Sequence, residues 1–337
     1  MNWLDGFTGA YYATYIDPVS WRDLERFEIT EGGITRSSTD LRATASLKCT
    51  DYPQGTEKWI RVYLDARQGG NVAKVPLFTG LATSPGIELN GTLVDNKVEC
   101  YSVLKPCEDI LLERGWYIPA ETSGAQAVKN LLAATPAPVV IDGNSPVLNE
   151  AVIAEDGESN MTMIDKVLTA IGWRLRLDGD GTIHVAPPAS EPSVIYDPLE
   201  NDAIEPAITI TRDWYAIPNV FRAISDGVSA TAKDESLKSP YSIPNRGREV
   251  WAEEDDCELS GYETIAEYAM RRLKEEQKVG VEVKYSRRFN PNIQPSDLVQ
   301  LHYPAQGLDG VYEVVSQSLN IGFGCKVDEE VNYHGGY

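Results

Sequence analysis

Two-residue periodicity, repeated in separated stretches, is what most limits the folds open to this chain. Ala43-Thr44-Ala45-Ser46-Leu47-Lys48-Cys49 alternates apolar with polar side chains without a break. Trp59-Ile60-Arg61-Val62-Tyr63-Leu64 does so again, with Ile60, Val62 and Leu64 on one face, and Val98-Glu99-Cys100-Tyr101-Ser102-Val103 repeats the pattern. Successive side chains of an extended strand point to opposite faces, so this period specifies half-buried antiparallel strands. Turn residues fall between them. Gln68-Gly69-Gly70-Asn71 has the form of a hairpin turn, and Leu89-Asn90-Gly91 is a second turn region leading to the strand at Val98. Pro76, inside Val75-Pro76-Leu77-Phe78-Thr79-Gly80, predicts an edge or a strand start, because proline has no N–H to donate. Short strands with glycine-rich turns over residues 1–120 read as a small barrel or sandwich.

Residues 121–190 change character. Ser123-Gly124-Ala125-Gln126 has the form of a capping box and opens a short helix through Val128, Leu131 and Leu132, which Pro136-Ala137-Pro138 ends. Ser159 is placed to cap a second helix with Ile164, Val167, Leu168 and Ile171 on its apolar face and Gly172 at its C-terminal end. Trp173, Leu175 and Leu177 then alternate with Arg174 and Arg176, and Asp178-Gly179-Asp180-Gly181 turns the chain toward Ile183 and Val185, closing a hairpin. Pro187-Pro188-Ala189-Ser190-Glu191-Pro192 reads as an exit linker.

Residues 191–337 return to strands, at Ile208-Thr209-Ile210, at Asn219-Val220-Phe221-Arg222-Ala223-Ile224, over 281–289, at Leu298-Val299-Gln300-Leu301 and at Val311-Tyr312-Glu313-Val314-Val315. The polar run 232–248, with Pro240, Pro244 and Asn245, reads as a long exposed loop. Ser260-Gly261-Tyr262-Glu263 is expected to cap a helix over 260–279 that carries Tyr262, Ile265, Ala266, Ala269 and Leu273 on one face. Residues 332–337 are expected to be loose.

A length of 337 residues is compatible with two or three domains, and 42% hydrophobic with 24% charged residues is ordinary for a globular chain. No run of eighteen apolar residues predicts a membrane span. The N-terminus, Met1-Asn2-Trp3-Leu4-Asp5-Gly6, has neither a basic nor an apolar leader region, so a secretory signal is not expected. The five cysteines (Cys49, Cys100, Cys107, Cys257, Cys325) are scattered and odd in number, and read as buried free thiols of a protein folded in a reducing cytoplasm. A net charge of −21 disfavours tight binding to a phosphate backbone. Its plainest role is solubility; lining a lumen, it would let DNA slide past without sticking.

Candidate chemistry is sparse. His184 and His302 lie in strand-like runs and His334 near the end of the chain, with no metal-ligand spacing among them. No nucleophile elbow, P-loop or dinucleotide fingerprint occurs. Asp178-Gly179-Asp180-Gly181 resembles the start of a calcium loop, but Ile183 stands where the loop glycine belongs and Ala189 where the closing glutamate does, which favours a plain turn. Glu253-Glu254-Asp255-Asp256 is acidic enough to attract a cation, yet such a run is ordinarily a solvated segment. With 51 acids, paired carboxylates for glycoside hydrolysis carry no signal without geometry. Trp59 and Trp173 sit in alternating runs and read as core rather than as sugar-stacking surface. No catalytic, cofactor-binding or metal-ligating residue is assigned, no cofactor is expected, and interface residues are not identifiable.

The order of elements toward the C-terminus resembles the hub family of contractile and some flexible phage tails, with relatives in tailocins and type VI secretion spikes. The residues that carry the likeness are Pro218-Asn219-Val220 entering a strand, the long polar run, the 260–279 helix, Asn290-Pro291-Asn292-Ile293-Gln294-Pro295-Ser296-Asp297-Leu298-Val299, and Leu308-Asp309-Gly310-Val311-Tyr312. The family's turn usually reads Pro-Gly-Asp, and Ser296 stands here at the glycine place. Pro76-Leu77-Phe78-Thr79-Gly80 is similar to the matching strand of the family's first barrel, and the 121–190 unit also fits. The resemblance implies an α+β, β-dominated fold of two small antiparallel β-barrel domains, 1–120 and 191–337, with an inserted α+β domain at 121–190. It implies a non-enzymatic homotrimer that joins a six-fold tail tube protein to a central spike protein and meets other baseplate or tape-measure proteins. The implied location is the tail baseplate of a virion assembled in a bacterial cytoplasm. A tail-tip cell-wall hydrolase is the enzymatic alternative, for which the second barrel, reaching almost to the C-terminus, leaves no room. A host-receptor carbohydrate-binding module is the third reading.

Overall fold

The alternating strands near the N-terminus pair in a closed circuit. They are β1 (Thr8–Ile16), β2 (Asp23–Ser37), β3 (Ala43–Cys49), β4 (Lys58–Gln68), β5 (Asn71–Asn90) and β6 (Leu93–Ser102). The computed structural model describes residues 1–49, 57–90, 93–212, 215–225, 227–257, 259, 263–278 and 281–334. β1 pairs with β4, β4 with β5, β5 with β6, β6 with β3, β3 with β2, and β2 returns to β1, every pair antiparallel. Ile34, Leu47, Ile60, Val62, Leu64 and Val98 fill the inside, and the polar residues between them face out, as a period of two requires. Gly69 and Gly70 turn the β4–β5 hairpin with φ of 52° and 88°, a left-handed pair that glycine adopts without strain. Pro76 lies beside the register shift between Val62 and Tyr63, in the part of β5 that pairs with β4 and not with β6, so its missing N–H takes nothing from the β5–β6 ladder. The turn region expected at Leu89-Asn90-Gly91 joins β5 to β6; Gly91 lies outside the described residues.

The chain then forms α1 (Lys105–Asp109), β7 (Tyr117–Ile118), α2 (Gly124–Leu131), β8 (Val139–Ile141), β9 (Val152–Ile153), α3 (Asn160–Ile171), β10 (Arg174–Leu177) and β11 (Ile183–Ala186). β10 and β11 form the expected hairpin, and β8 adds to β11 in parallel. α3 starts where Ser159 Oγ accepts the Thr162 N–H at 3.1 Å, and ends at Gly172 with φ 67°. Ile164, Val167, Leu168 and Ile171 are all buried. α2 departs from expectation at its cap. Ser123 occupies the N-cap but makes no capping bond; the Ala125 N–H instead donates to Ser145 Oγ at 2.8 Å, so a residue distant in sequence satisfies the helix start.

The remaining elements are β12 (Pro192–Tyr196), β13 (Ile204–Arg212), β14 (Val220–Ser225), β15 (Val228–Lys233), α4 (Ile243–Arg246), β16 (Trp251–Glu254), α5 (Ile265–Lys278), β17 (Val281–Arg288), β18 (Leu298–Tyr303), β19 (Leu308–Ile321) and β20 (Lys326–Tyr333). The order β12-β18-β19-β20-β17-β13 makes a second group of strands around Val283, Val299, Leu301, Val314 and Val331. β14, β15 and β16 form a separate small sheet, on which α5 packs Tyr268, Ala269 and Leu273 against Phe221 and Ala223.

Two expectations change here. The helix begins later than Ser260-Gly261-Tyr262-Glu263 suggests; the first three of these lie outside the described residues, and Glu263 precedes the helix. The capping box is Thr264-Ile265-Ala266-Glu267: Thr264 Oγ1 accepts the Glu267 N–H at 3.3 Å, and Glu267 Oε2 accepts the Thr264 N–H at 2.8 Å. The polar run 232–248 is not a bare loop either. Asn219, fully buried, donates from Nδ2 to the carbonyls of Tyr241 and Arg248 at 3.0 and 2.9 Å, drawing Tyr241 into the interior. A single amide satisfying several backbone groups can fold such a run without an apolar pattern.

Candidate assembly surface

The two strand groups are one continuous sheet, because β2 and β19 are long enough to serve both. Residues 32–36 of β2 hold β3 on one edge, and residues 32–37 hold residues 316–321 of β19 on the other, from Ser37 opposite Ser316 to Gly32 opposite Ile321. Inside this seam, Arg36 is buried and donates to the Leu77 carbonyl of β5. Burial lowers its guanidinium to about 10. Tyr11 OH donates to the Gly322 carbonyl at 2.7 Å, tying β1 to the end of β19.

The outward face of this sheet is polar and built of small side chains. Thr44, Thr35, Ser318, Asp328 and Ser286 lie opposite one another across β3, β2, β19, β20 and β17. A second row runs Ser37, Ser316, Glu330, Lys284 and Thr209. Charges here are paired: Lys48 with Glu31 at 3.0 Å, Lys284 with Glu282 and Glu330 at 2.8 and 3.3 Å, and Lys326 with Glu205 at 3.0 Å. The face therefore mixes both signs.

Beneath it lies an ion pair with no access to solvent. Arg287 on β17 donates from Nε to Glu329 Oε2 on β20 at 3.0 Å, and the two side chains are 1% and 0% exposed. Tyr285 OH donates to Glu329 Oε1 at 2.6 Å, and Gln317 Nε2 donates to Glu329 Oε2 at 2.7 Å and to the Ile293 carbonyl at 3.0 Å. Burial opposes the charge on Arg287, and Glu329 more than restores it. One carboxylate thus fixes the relative positions of β17, β19 and β20.

The hairpin turn at 178–181 docks on the first strand group. Thr79 Oγ1 donates to the Gly179 carbonyl at 2.8 Å, and Arg61 donates to the Asp180 carbonyl at 2.9 Å. Gln294 Nε2 donates to Asp178 Oδ1 at 3.0 Å, so the same turn also meets the 290–297 turn of the second group. In that turn Asp297 Oδ2 accepts the Gln294 N–H at 2.8 Å, and Ser296 takes φ 72°, a left-handed geometry that glycine adopts without strain. Burial raises the Asp297 carboxyl above its ordinary value.

The residues singled out in the sequence are structural neighbours rather than one site. His184 lies with Nδ1 2.7 Å from Asp142 and Nε2 3.2 Å from Asp178, beside the docked turn. His302 meets Asp309 at 2.9 Å on the surface, and that hydrogen bond raises its pKa. His334 lies 3.5 Å from Glu313. Asp178 and Asp180 do not converge on a cation site; Asp180 Oδ1 accepts the Thr182 N–H within the turn. Glu253 pairs with Arg222 of β14, and Glu254 accepts from Tyr268 OH at 2.6 Å and Arg272 at 2.9 Å, so Glu254 alone of that acidic run anchors α5 among the described residues. All five cysteines are buried and free, with burial raising the thiols, Cys49 to about 12 and Cys325 to about 11. Among the described residues no cluster of three His, Cys, Asp or Glu side chains has the form of a metal site, and no helix is long and apolar enough to cross a membrane. Composition and motifs do not single out Arg287 and Glu329, yet a signal exists: each sits at an inward position of an alternating strand, between Tyr285 and Phe289 or between Val327 and Val331.

No family model and no curated protein sequence matches the chain. Solved structures do. A tail protein from Neisseria meningitidis MC58 superposes over 97% of this chain and 97% of its own, with a TM-score of 0.69 at 15% identity. The 43 kDa tail protein of prophage MuSo2 from Shewanella oneidensis covers 96% and 98%, with a TM-score of 0.68 at 15% identity. The prophage tail protein gp18 from Listeria monocytogenes EGD-e covers 96% and 94%, with a TM-score of 0.60 at 13% identity. The chain has the β-dominated fold of these phage tail proteins from end to end.

Proposed function

We propose that this chain is the structural hub of a phage or phage-like tail baseplate, a trimeric ring joining the six-fold tail tube to the central spike. The ring is a component of the virion tail, made in the host cytoplasm, and encloses the channel. The supporting observation is a duplicated strand order. Numbered from its own first strand, each group pairs in the order first, fourth, fifth, sixth, third, second: β1-β4-β5-β6-β3-β2 and β12-β18-β19-β20-β17-β13. The copies differ in two respects. β12 runs parallel to β18 where β1 runs antiparallel to β4, and among the described residues β12 and β13 do not pair as β1 and β2 do.

On this reading residues 1–120 and 191–337 are two related small barrels flanking the 121–190 unit. Three chains then present six such modules, which matches a six-fold tube to a three-fold spike by closed cyclic symmetry. The polar outward face, with paired charges and small hydroxyls, suits a channel wall that grips nothing. The work is geometric, and no residue is assigned a catalytic role.

The test is the solution mass by size-exclusion chromatography with light scattering, followed by negative-stain imaging. A mass near three times the 37.2 kDa chain, with a central hole in the particles, is the expected result. A stable monomer with no affinity for tube or spike proteins under assembly conditions overturns the proposal.

A further inference from the structure

We infer that the free edge of β13 in one copy pairs with the outer end of β5 in the next, continuing the sheet from chain to chain. The inference rests on the trimeric reading above and names the residues that would close the ring.

It follows from the seam inside the chain. β19, fifth strand of its group, changes partner partway along: residues 308–313 pair with β18, and residues 316–321 pair with β2, the second strand of the other group. The corresponding strands at the other junction are β5, a fifth strand, and β13, a second strand. Residues 86–90 of β5 hold β6 on one edge, and among the described residues no strand pairs with the other. Residues 208–212 of β13 hold β17 on one edge, and among the described residues no strand pairs with the other. The two halves of a second seam are present on each chain, at opposite ends of its sheet, and meet only between chains.

The register can be read off. The β19–β20 ladder shifts between Val314 and Ser316, and the β5–β6 ladder shifts between Thr83 and Gly86. Aligning the residues that follow each shift sets Gly86 on Ser316. Leu89-Asn90 then falls on Leu319-Asn320, the same dipeptide. On the other strand, Ile208 and Ile210 lie opposite Tyr285 and Val283, as Gly32 and Ile34 lie opposite Leu47 and Ala45. The seam places Thr35 opposite Ser318 and Gly33 opposite Asn320. Transferred, it places Thr211 opposite Glu88 and Thr209 opposite Asn90.

The chemistry of the edge agrees. Exposed sheet edges are normally guarded by charge, proline or a bulge, because unpaired N–H and C=O groups recruit strands. Ile208-Thr209-Ile210-Thr211 carries neither charge nor proline and is β-branched throughout. Pro206 precedes it, within the irregular part of the β13–β17 ladder.

The test is a double variant, Thr211→Cys with Glu88→Cys, oxidised mildly and run on a non-reducing gel. A second pair, Thr209→Cys with Asn90→Cys, guards against poor folding of the first. The five native cysteines are buried, so background cross-linking is low. The expected result is a ladder of covalent dimers and trimers from either double variant and monomers from each single variant. Hydrogen exchange should show the amides of residues 86–90 and 208–212 protected in the assembled protein and exchanging on dilution. A trimer in which neither pair cross-links and both segments exchange freely overturns the pairing while leaving the hub reading intact. A chain that stays monomeric with its tube and spike proteins overturns both.

Discussion

A Cβ on Gly179 would lie 2.0 Å from the carbonyl oxygen of Pro76. No real Cβ contact is that short, and the obstacle is backbone, which cannot swing aside. The glycine is therefore what allows the 178–181 turn to lie flat on β5 and accept the Thr79 hydroxyl. Gly179→Ala should lift the turn and destabilise the protein by about 1–3 kcal/mol, the usual range for overpacking. Gly6→Ala, where a Cβ meets nothing within 4 Å, is the control. Urea midpoints of the two variants decide the matter: equal shifts would show that the close approach does not matter.

Ser296 bears a different kind of strain. Its φ of 72° is left-handed, where a side chain costs about 1–2 kcal/mol relative to glycine. The backbone holds it there because its N–H donates to the Val314 carbonyl at 2.7 Å and Asp297 closes the turn behind it. Ser296→Gly should raise the thermal midpoint, with a gain of about 0.5–1 kcal/mol after the added freedom of the unfolded glycine is subtracted. Ser296→Val should lower it, since a β-branched side chain tolerates this region least. Melting curves in which valine matches serine would count against the strain argument.

The contrast between these two turns explains what the sequence could reveal. Local patterns were legible because they are written in adjacent residues: the alternation of 43–49, the Gly69-Gly70 turn, and Ser159 with Gly172 around α3. Caps shared across the fold were not, since Ser145 serving Ala125 and Asn219 serving Tyr241 and Arg248 leave no periodic trace. Sequence alone offers two starts for α5, because Ser260 and Thr264 each have an acidic residue three positions on, and the structure uses the Thr264 box. The β2–β19 seam was invisible for a further reason. Period two tells which face of a strand is buried and says nothing of which strand lies beside it.

Glu329 is the keystone of the buried layer. It accepts from Arg287, Tyr285 and Gln317, three side chains on two neighbouring strands. Glu329→Ala leaves a fully buried guanidinium without its counter-charge, and a loss of about 3–5 kcal/mol is expected. Replacing both partners, Arg287→Met with Glu329→Leu, should recover part of that loss, because the desolvation cost of both charges disappears together while the Tyr285 hydroxyl is left without its acceptor. Chemical denaturation of both variants tests this. If the double variant is as unstable as the single, the pair contributes more than compensation for its own burial.

Acid should loosen α5 and tighten the 290–297 turn. Burial pushes the Glu275 carboxyl up, but Arg272 and Arg271, 2.9 and 3.2 Å away, hold it below its ordinary 4.5. Glu267 is also held low, first by the Thr264 N–H and then by the Thr264 hydroxyl. For both, the unfolded chain binds more protons than the folded one below pH 4.5, so their support of α5 is complete above that value and is lost as pH falls through the depressed folded values. Asp297 runs the other way. Its carboxyl is raised by burial, so the folded state takes up the proton first and the 290–297 turn gains stability as pH falls through the raised value. Hydrogen exchange between about pH 6 and about pH 3.5, corrected for intrinsic rates, should therefore show the amides of 265–278 deprotected before those of 293–297. Simultaneous loss in both segments would mean that the chain opens as one cooperative unit and that the local carboxylates do not govern the order.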